Sequence, residues 1–519
     1  MSKIEVSVIL HLDNGNITVF PDILKSVYLQ TFDNIDVNII SEPGIEISQY
    51  EMKKINPGQV PTIFMRDKAD TPGKIFNKAV QSAKGKYILY LYNPEIAVFL
   101  KQSAIDLFLQ AYKRNTNTGM IYGDYELEEN NDVKEIHLLK HHAGRLRDNQ
   151  DYGRVFFFSR EALETCNPTD ENLKFNMLYN LRLKISEKYK LIHIANRYAG
   201  SLYRIKAPVK KHNVFDYLLA GRDSQVEAEE VLTGHLKRIG AYLKPGEHFE
   251  QRPKLQHNFK LKASVIIPVN NRPEFIGTAI ESVHAQTVQD IEVIVVVNGG
   301  ETDPTAREVR RYMIGGDKYN SDKPGVKLLV HDINNLGLCL NTGAWAAEGE
   351  FYIQLDSDDR LKRDAVEKIL SVYKQDPKTA MVIGSYEVWQ KDESGKYSRM
   401  EELPVVTHDE WTEENGRNNL LRINGAGAPR SLPIALIRKI GFGVNEEPYA
   451  RNYGEDYNMV LEVSEHYRIG RVWDAIYEVV RHAGGTDHSI DQQTIDRNDE
   501  AKDYMRLQAI KRRVKLNTL

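Results

Sequence analysis

Cysteine is nearly absent: Cys166 and Cys339 are the only two in 519 residues. Two thiols cannot build a disulfide framework or a cysteine-rich zinc site, and such usage fits a reducing compartment. Long apolar runs are missing too. The strongest, Ile291 to Val297, is seven residues and contains Glu292, well short of the ~18 that a membrane span requires. The opening Met1-Ser2-Lys3-Ile4-Glu5 leads only into a short alternating run, without the apolar core and cleavage site of a signal peptide. The expectation is a cytoplasmic protein, at most peripheral at the inner face of the plasma membrane. An excess of one charge is the third absence. The 69 Lys and Arg against 73 Asp and Glu leave a net charge of −4, which argues against a protein built to grip nucleic acid phosphates. What is present, 41% hydrophobic and 27% charged residues, suffices for substantial cores and excludes wholesale disorder. The length suggests several domains.

The chain contains itself twice. Ser26-Val27-Tyr28-Leu29-Gln30-Thr31 matches Ser282-Val283-His284-Ala285-Gln286-Thr287. Gly73, Asn77, Ala83 and Gly85 match Gly337, Asn341, Ala347 and Gly349 at a constant offset of 264, and Tyr122-Gly123-Asp124-Tyr125-Glu126 lies beside Ile383-Gly384-Ser385-Tyr386-Glu387. Matches in shared order and spacing mark a tandem pair. The expected division is 1–205, a linker over 206–260, a second copy over 261–495, and a basic helix or tail over 496–519. Within the linker, residues from about Val214 to Leu243 carry helix formers and few breakers, closed by Lys244-Pro245-Gly246, so it reads as helical.

The second copy opens with Ala263-Ser264-Val265-Ile266-Ile267-Pro268, a continuous apolar run typical of buried parallel strands. Asn271-Arg272-Pro273 then starts a helix, and Ile291–Val297, Val326–Val330 and Phe351–Leu355 read as further strands. Alternating strands and helices predict an α/β sheet, with ligands at the carboxyl ends of the strands. The fourth strand ends in Asp356-Ser357-Asp358-Asp359. Residues two apart in an extended segment face the same way, so Asp356 and Asp358 can converge on a hard cation such as Mg²⁺ or Mn²⁺. An Asp-rich turn capping the next helix is the structural alternative. Further on, Gly454-Glu455-Asp456 runs into a helical pattern. Acids at a helix start suit its dipole, and Asp456 would equally suit a general base. His482 ends the strand-like run Ile476–Val480. It could complete a metal shell begun by Asp358, with His488 as the fallback ligand, or simply cap a turn.

Taken in order, these motifs resemble family 2 glycosyltransferases of the GT-A fold. They are the strand-end proline followed by Asn-Arg, Asn341-Thr342-Gly343, Leu355-Asp356-Ser357-Asp358-Asp359, Gly454-Glu455-Asp456 and the late histidine. The whole plan is similar to bacterial chondroitin-polymerase-type enzymes. The resemblance implies two tandem GT-A domains, Rossmann-like nucleotide-diphospho-sugar transferase folds, joined by a helical linker. It implies that Asp356 contacts the donor ribose and metal, that Asp358 and His482 bind Mn²⁺ or Mg²⁺, and that Asp456 is the catalytic base with Glu455 beside it. Pro268, Asn270, Arg272, Asn298 and Asn341 would border the donor nucleotide, and Gly425, Ala426 and Gly427, following Asn424, would shape the sugar and acceptor pocket. The implied activity is inverting transfer of a hexosyl or N-acetylhexosaminyl group from a nucleotide-diphosphate sugar to a glycan or lipid-linked acceptor in cell-surface polysaccharide synthesis. Two departures bear on the base. Val297-Asn298-Gly299-Gly300 replaces the family's usual Asp-Asp-Gly-Ser, and Leu340 stands where an arginine is common. UDP is the first expectation, with dTDP and GDP open.

The first copy lacks the chemistry. Tyr92-Asn93-Pro94-Glu95 stands opposite the acidic run, Lys174 opposite the base, Arg204 near the position of His482, and His11 in place of the strand-end proline. It reads as a degenerate, non-catalytic copy. The stretch Arg506 to Lys515 carries Arg506, Lys511, Arg512, Arg513 and Lys515, a basic helix that would be a solvated tail or a contact to an anionic membrane. Two other readings stand beside the enzyme: a catalytically inactive carbohydrate-binding or scaffolding protein, and a nucleotidyltransferase that makes sugar nucleotides. A homo-oligomer is compatible with all of them.

Overall fold

In a computed structural model, the chain is described over residues 4–45, 55–56, 58–130, 132–166, 170–196, 201–206, 221–255, 259–392, 394–407, 415–423, 425, 427–446, 454–482 and 491–518. It divides into two compact units, Met1–Ile239 and Gly240–Leu519. Each is built on a mixed α/β sheet. In the first, the strands run in the spatial order Thr62–Met65, Ile35–Ser41, Val6–Leu12, Tyr87–Leu91, Val155–Ser159, Thr118–Gly123, Lys190–Ile194. In the second the order is Gly325–Val330, Ile291–Val297, Leu261–Val269, Gly349–Gln354, Arg430–Pro433, Thr379–Lys391, Arg468–Arg481, with the short Arg360–Leu361 at the far edge. The two orders correspond strand for strand. In both, the fifth strand is antiparallel to its neighbours, and the first four are parallel. The first unit adds a four-stranded sheet from Ala97–Leu100, Tyr203–Lys206, Tyr125–Glu129 and Asp132–Ile136.

The repeated residues do the same physical work twice. Gln30 donates to the Ser26 and Lys101 carbonyls and accepts from the Ile105 amide at 3.1 Å. Gln286 donates to the Ser282 and Lys362 carbonyls and accepts from the Val366 amide at 3.1 Å. Each glutamine thus fastens the end of one helix to the start of another. Gly85 and Gly349 share a second cause. Their amides donate to Ser7 and Ser264 hydroxyls at 2.8 and 3.0 Å. A Cβ at Gly349 would lie 2.3 Å from the Ala263 carbonyl carbon, and one at Gly85 2.5 Å from the Ser7 nitrogen.

The apolar strand Ile291–Val297 is buried along its whole length, as a parallel strand covered on both faces must be. Glu292 inside it is satisfied by the Ser264 hydroxyl at 2.6 Å, the Glu348 amide at 2.7 Å and the Lys327 ammonium at 2.8 Å. Each such polar group needs its partners, because an unpaired one would carry the full desolvation cost.

The segment expected to be a helical linker is divided between the units. Its helix, Arg222–Arg238, packs on Met177–Ser186 of the first unit, where His235 and Arg238 hold Glu187 at 2.7 and 2.9 Å. Residues 241–255 lie on the second unit: Leu243 exchanges both backbone bonds with the Asn418 side chain, and Arg252 donates to the Tyr373 and Asp376 carbonyls.

The expected basic helix or tail is a helix, and it packs on the second unit. Gln492–Thr518 is one helix packed against Glu455–His466. Arg506 and Arg513 are fully buried. Arg506 pairs with buried Asp503 and donates to the Ile423 carbonyl, Arg513 donates to the Arg417 carbonyl and the Ser464 hydroxyl, and Arg512 grips Glu465 at 2.8 Å. Three of the five basic residues are therefore turned into the protein, not toward a membrane surface. Among the described residues, no helix is long and apolar enough to cross a membrane.

Candidate active site

The carboxyl ends of four strands in the second unit carry most of the polar residues singled out in the sequence. At the end of Leu261–Val269, Asn270 donates its amide to the Asn298 side chain at 2.9 Å, and Asn298 donates onward to Asn334 at 3.2 Å. Asn271 takes a positive φ of 49°, with its amide on Asp303, while the Arg272 amide donates to Thr305 and leads into the helix Pro273–His284. Pro268 is buried within the strand, and Asn298 is 6% exposed. Asn341, expected to border the nucleotide, also braces the backbone. Its amide donates to the Phe442 carbonyl at 2.9 Å and accepts the Phe442 N–H at 2.8 Å, so both ends of the side chain are engaged in holding the fold.

The strand Gly349–Gln354 delivers the acidic run. The Asp356 amide donates to the Tyr477 hydroxyl at 3.1 Å, and its carboxylate accepts from Gln354 at 3.3 Å. Asp358 meets His482 at 3.0 Å, and the His482 ring packs on Phe275 at 4.3 Å. Asp359 is buried and accepts the Val480 amide at 2.8 Å. Burial and the neighbouring Asp356 and Asp358 push its carboxyl well above the usual range. Burial likewise raises Asp356; Arg430 opposes and Asp358 adds to the rise. This crowding is what a cation would relieve. Asp358 and His482 are an oxygen and a nitrogen donor in direct contact, a pair that fits a divalent ion completed by donor phosphates. Among the described residues, however, no three His, Cys, Asp or Glu side chains gather into a ligand set. Asp356 is held on Gln354, not with the other two.

The second acidic group begins at Gly454, whose φ of 87° opens the helix Glu455–His466. A Cβ there would crowd only the flexible end of Met505, at 2.9 Å, so it is the positive φ that calls for glycine. Asp456 pairs with Arg430 at 3.0 Å and accepts the Tyr457 amide at 2.7 Å, with its side chain 21% exposed. Burial pushes its carboxyl up, but Arg430, Lys502 and the Tyr457 amide outweigh this and hold it below the usual carboxylate range. Glu455 has the opposite balance. Burial and the charge on Asp456 push it up to about 7. Arg430, at the start of Arg430–Pro433, also donates to the Gly427 carbonyl at 2.9 Å. Gly427 has a φ of 79°, and among the described residues nothing lies within 4 Å of a Cβ at Gly425; Asn424, Ala426 and His488 lie outside the described residues.

Residues 264–439 match the family model described as glycosyl transferase family 2. The second unit belongs to that family. An uncharacterised glycosyltransferase of Rickettsia bellii is 23% identical over 430 residues, 76% of this chain and 58% of its own, so this chain spans little more than half of that relative. A similar protein of Rickettsia felis is 22% identical over 94% of this chain and 81% of its own. Chondroitin synthase of Escherichia coli is 32% identical over 119 residues, 23% of this chain and 16% of its own.

The candidate site contains neighbours that the sequence motifs did not reveal, Arg430, Tyr477 and Phe275. Arg430 follows a Gly-Ala-Pro turn and opens an apolar strand, a setting that signals sheet structure more than chemistry. Tyr477 and Phe275 are likewise ordinary core aromatics by pattern, yet they support Asp356 and His482.

The first unit laces the corresponding strand ends together. Asn93, fully buried, accepts the His11 amide at 2.7 Å and donates to the His11 carbonyl at 2.9 Å. Asn16 donates to the Asn93 carbonyl, and Asp13 accepts the Glu95 amide at 2.7 Å. His11 is held neutral, at about 3, by burial and by Arg66. Lys174 has its backbone amide on Glu227, and Arg204 pairs with Glu126 in the smaller sheet.

Proposed function

We propose that the second unit is an inverting, metal-dependent transferase of GT-A type. It would move a sugar from a nucleotide-diphosphate donor, UDP-linked in the first instance, to a hydroxyl of a glycan or lipid-linked acceptor. The observation that carries this reading is the ionised, partly open Asp456 carboxylate, placed in the same charged neighbourhood as the Asp356–Asp358 strand end. Asn270, Asn298 and Arg272 border the nucleotide base and ribose. Asn298 can donate and accept, which suits uracil without demanding it.

Asp358 and His482 would hold Mn²⁺ or Mg²⁺, which when bound supplies positive charge to the departing diphosphate. Asp456 accepts the proton of the acceptor hydroxyl as that oxygen attacks the anomeric carbon from the face opposite the leaving group. Glu455, protonated over part of the neutral range, is placed to donate a hydrogen bond beside it. The first unit is a second GT-A-type copy without transferase activity, its strand ends closed by Asn93, Asn16 and Asp13. The likeness to a protein named chondroitin synthase supports a polysaccharide product.

Calorimetric titration of UDP, dTDP and GDP with and without Mn²⁺, on wild type and Asp358→Ala, tests the reading. Mn²⁺-dependent binding of one nucleotide, lost in the variant, is expected. Absence of binding by all three would favour the inactive carbohydrate-binding protein instead.

A further inference from the structure

Between the two acidic groups of the second unit stands one arginine that none of the motifs includes. Arg430 is the first residue of a strand clamped on both sides: Ser431 pairs with Ile353 and Val382, and Arg430 itself with Ile383. Its guanidinium therefore projects from the sheet, while Asp456 projects from the first turn of a helix. The two meet at 3.0 Å through Asp456 Oδ2, and Asp456 Oδ1 accepts the Tyr457 amide at 2.7 Å. Both carboxylate oxygens are thus fixed, one by the sheet and one by the helix. The same guanidinium reaches the Gly427 carbonyl at 2.9 Å, joining the acid to the glycine-rich loop.

We infer that Arg430 is a positioning residue for the transfer, holding Asp456 as an aimed carboxylate and tying it to the loop proposed to shape the acceptor pocket. The inference rests on the reading of Asp456 as the base.

The surrounding charges make Arg430 necessary. Asp456 faces Glu455 on its own helix, Asp356 at the end of the neighbouring strand and Tyr352 beneath, against Lys502 from the C-terminal helix. Three carboxyls thus share two cations. Arg430 is the cation within hydrogen-bond distance of Asp456, and it remains protonated because Asp456 and Asp356 offset the cost of its burial. Without it, burial and the neighbouring acids would dominate, and Asp456 would bind a proton at higher pH.

The test is the pH profile of kcat/KM for Arg430→Gln, Arg430→Lys and Asp456→Asn, with melting temperature and nucleotide binding as measures of intact fold. In Arg430→Gln the acid limb is expected to move to higher pH by about one unit, so that a pH below both limbs shows about tenfold less activity and alkaline pH recovers part of it. Arg430→Lys keeps a cation and is expected to keep the wild-type limb. An Arg430→Gln profile lowered equally at every pH would overturn the inference. Should the glutamine variant not fold, the lysine variant decides: a wild-type limb supports the inference, and a displaced limb overturns it. Transfer retained by Asp456→Asn would instead overturn the assignment of the base. An inactive Asp456→Asn beside an unmoved Arg430→Gln limb defeats the role of Arg430 alone.

Discussion

Glu455 and Asp456 are adjacent, yet their environments drive them apart, and each difference can be measured. Asp456→Asn keeps the shape and removes the proposed proton acceptor, so kcat should fall by about 10²–10⁴-fold, with nucleotide affinity unchanged in the calorimeter. Glu455 titrates in the fold at about 7, above the ordinary carboxyl value of an unfolded chain. The folded state therefore holds its proton more tightly, and the stability it contributes is present at low pH and lost as pH rises through 7. Glu455→Gln should flatten the stability of the second unit between about pH 4.5 and 7 and raise it at pH 8 by about 1–3 kcal/mol. Urea unfolding at both pH values would show it, and an unchanged slope would count against the buried, charge-crowded environment. At this scale the sequence singled out Asp358, His482 and Asp456, because hard acids and a histidine at strand and helix ends need a reason; the fold sets Asp358 against His482 and Asp456 against Arg430. It concealed Arg430, whose partner lies 26 positions away behind a proline-flanked strand. Nor did it show that the Asn341 side chain braces the Phe442 backbone.

Among the elements, the C-terminal helix shows most plainly what a one-dimensional pattern leaves out. Its arginines read as solvated because their partners, Ile423, Arg417, Ser464 and Glu465, are distant in the chain. In the fold they brace the helix that carries Asp456. Arg506→Ala would strand buried Asp503 without its cation, a loss of about 3–5 kcal/mol in unfolding experiments on the second unit. An effect near zero would mean that the pair is solvated. The strands were far easier to read, since parallel strands buried on both faces must be continuously apolar. The glutamine and glycine matches were legible for an equally physical reason. Gln286 and Gly349 have little freedom to vary, the one bonding three backbone groups and the other lying against a neighbouring strand.

For the whole molecule, the sequence repeat anticipated a correspondence of strand order that no single motif could show. The boundary between the units falls inside the expected linker, whose helix Arg222–Arg238 has the composition of a connector and packs as part of the first unit. Two copies of one sheet do not make two equal sites. The lacing of Asn93 to His11 closes the strand ends of the first unit, so titration of the full chain should give one nucleotide bound per chain, abolished by Asp358→Ala. A stoichiometry of two would contradict it. The packing of Gln492–Thr518 behind Glu455–His466 has a consequence in time. On the ribosome, the helix bearing Asp456 is made before its support, which follows about three to ten seconds later at ordinary elongation rates. A nascent chain therefore completes the strand ends carrying Asp356 and Asp358 first, and acquires a firmly held Asp456 only when synthesis of this support is done.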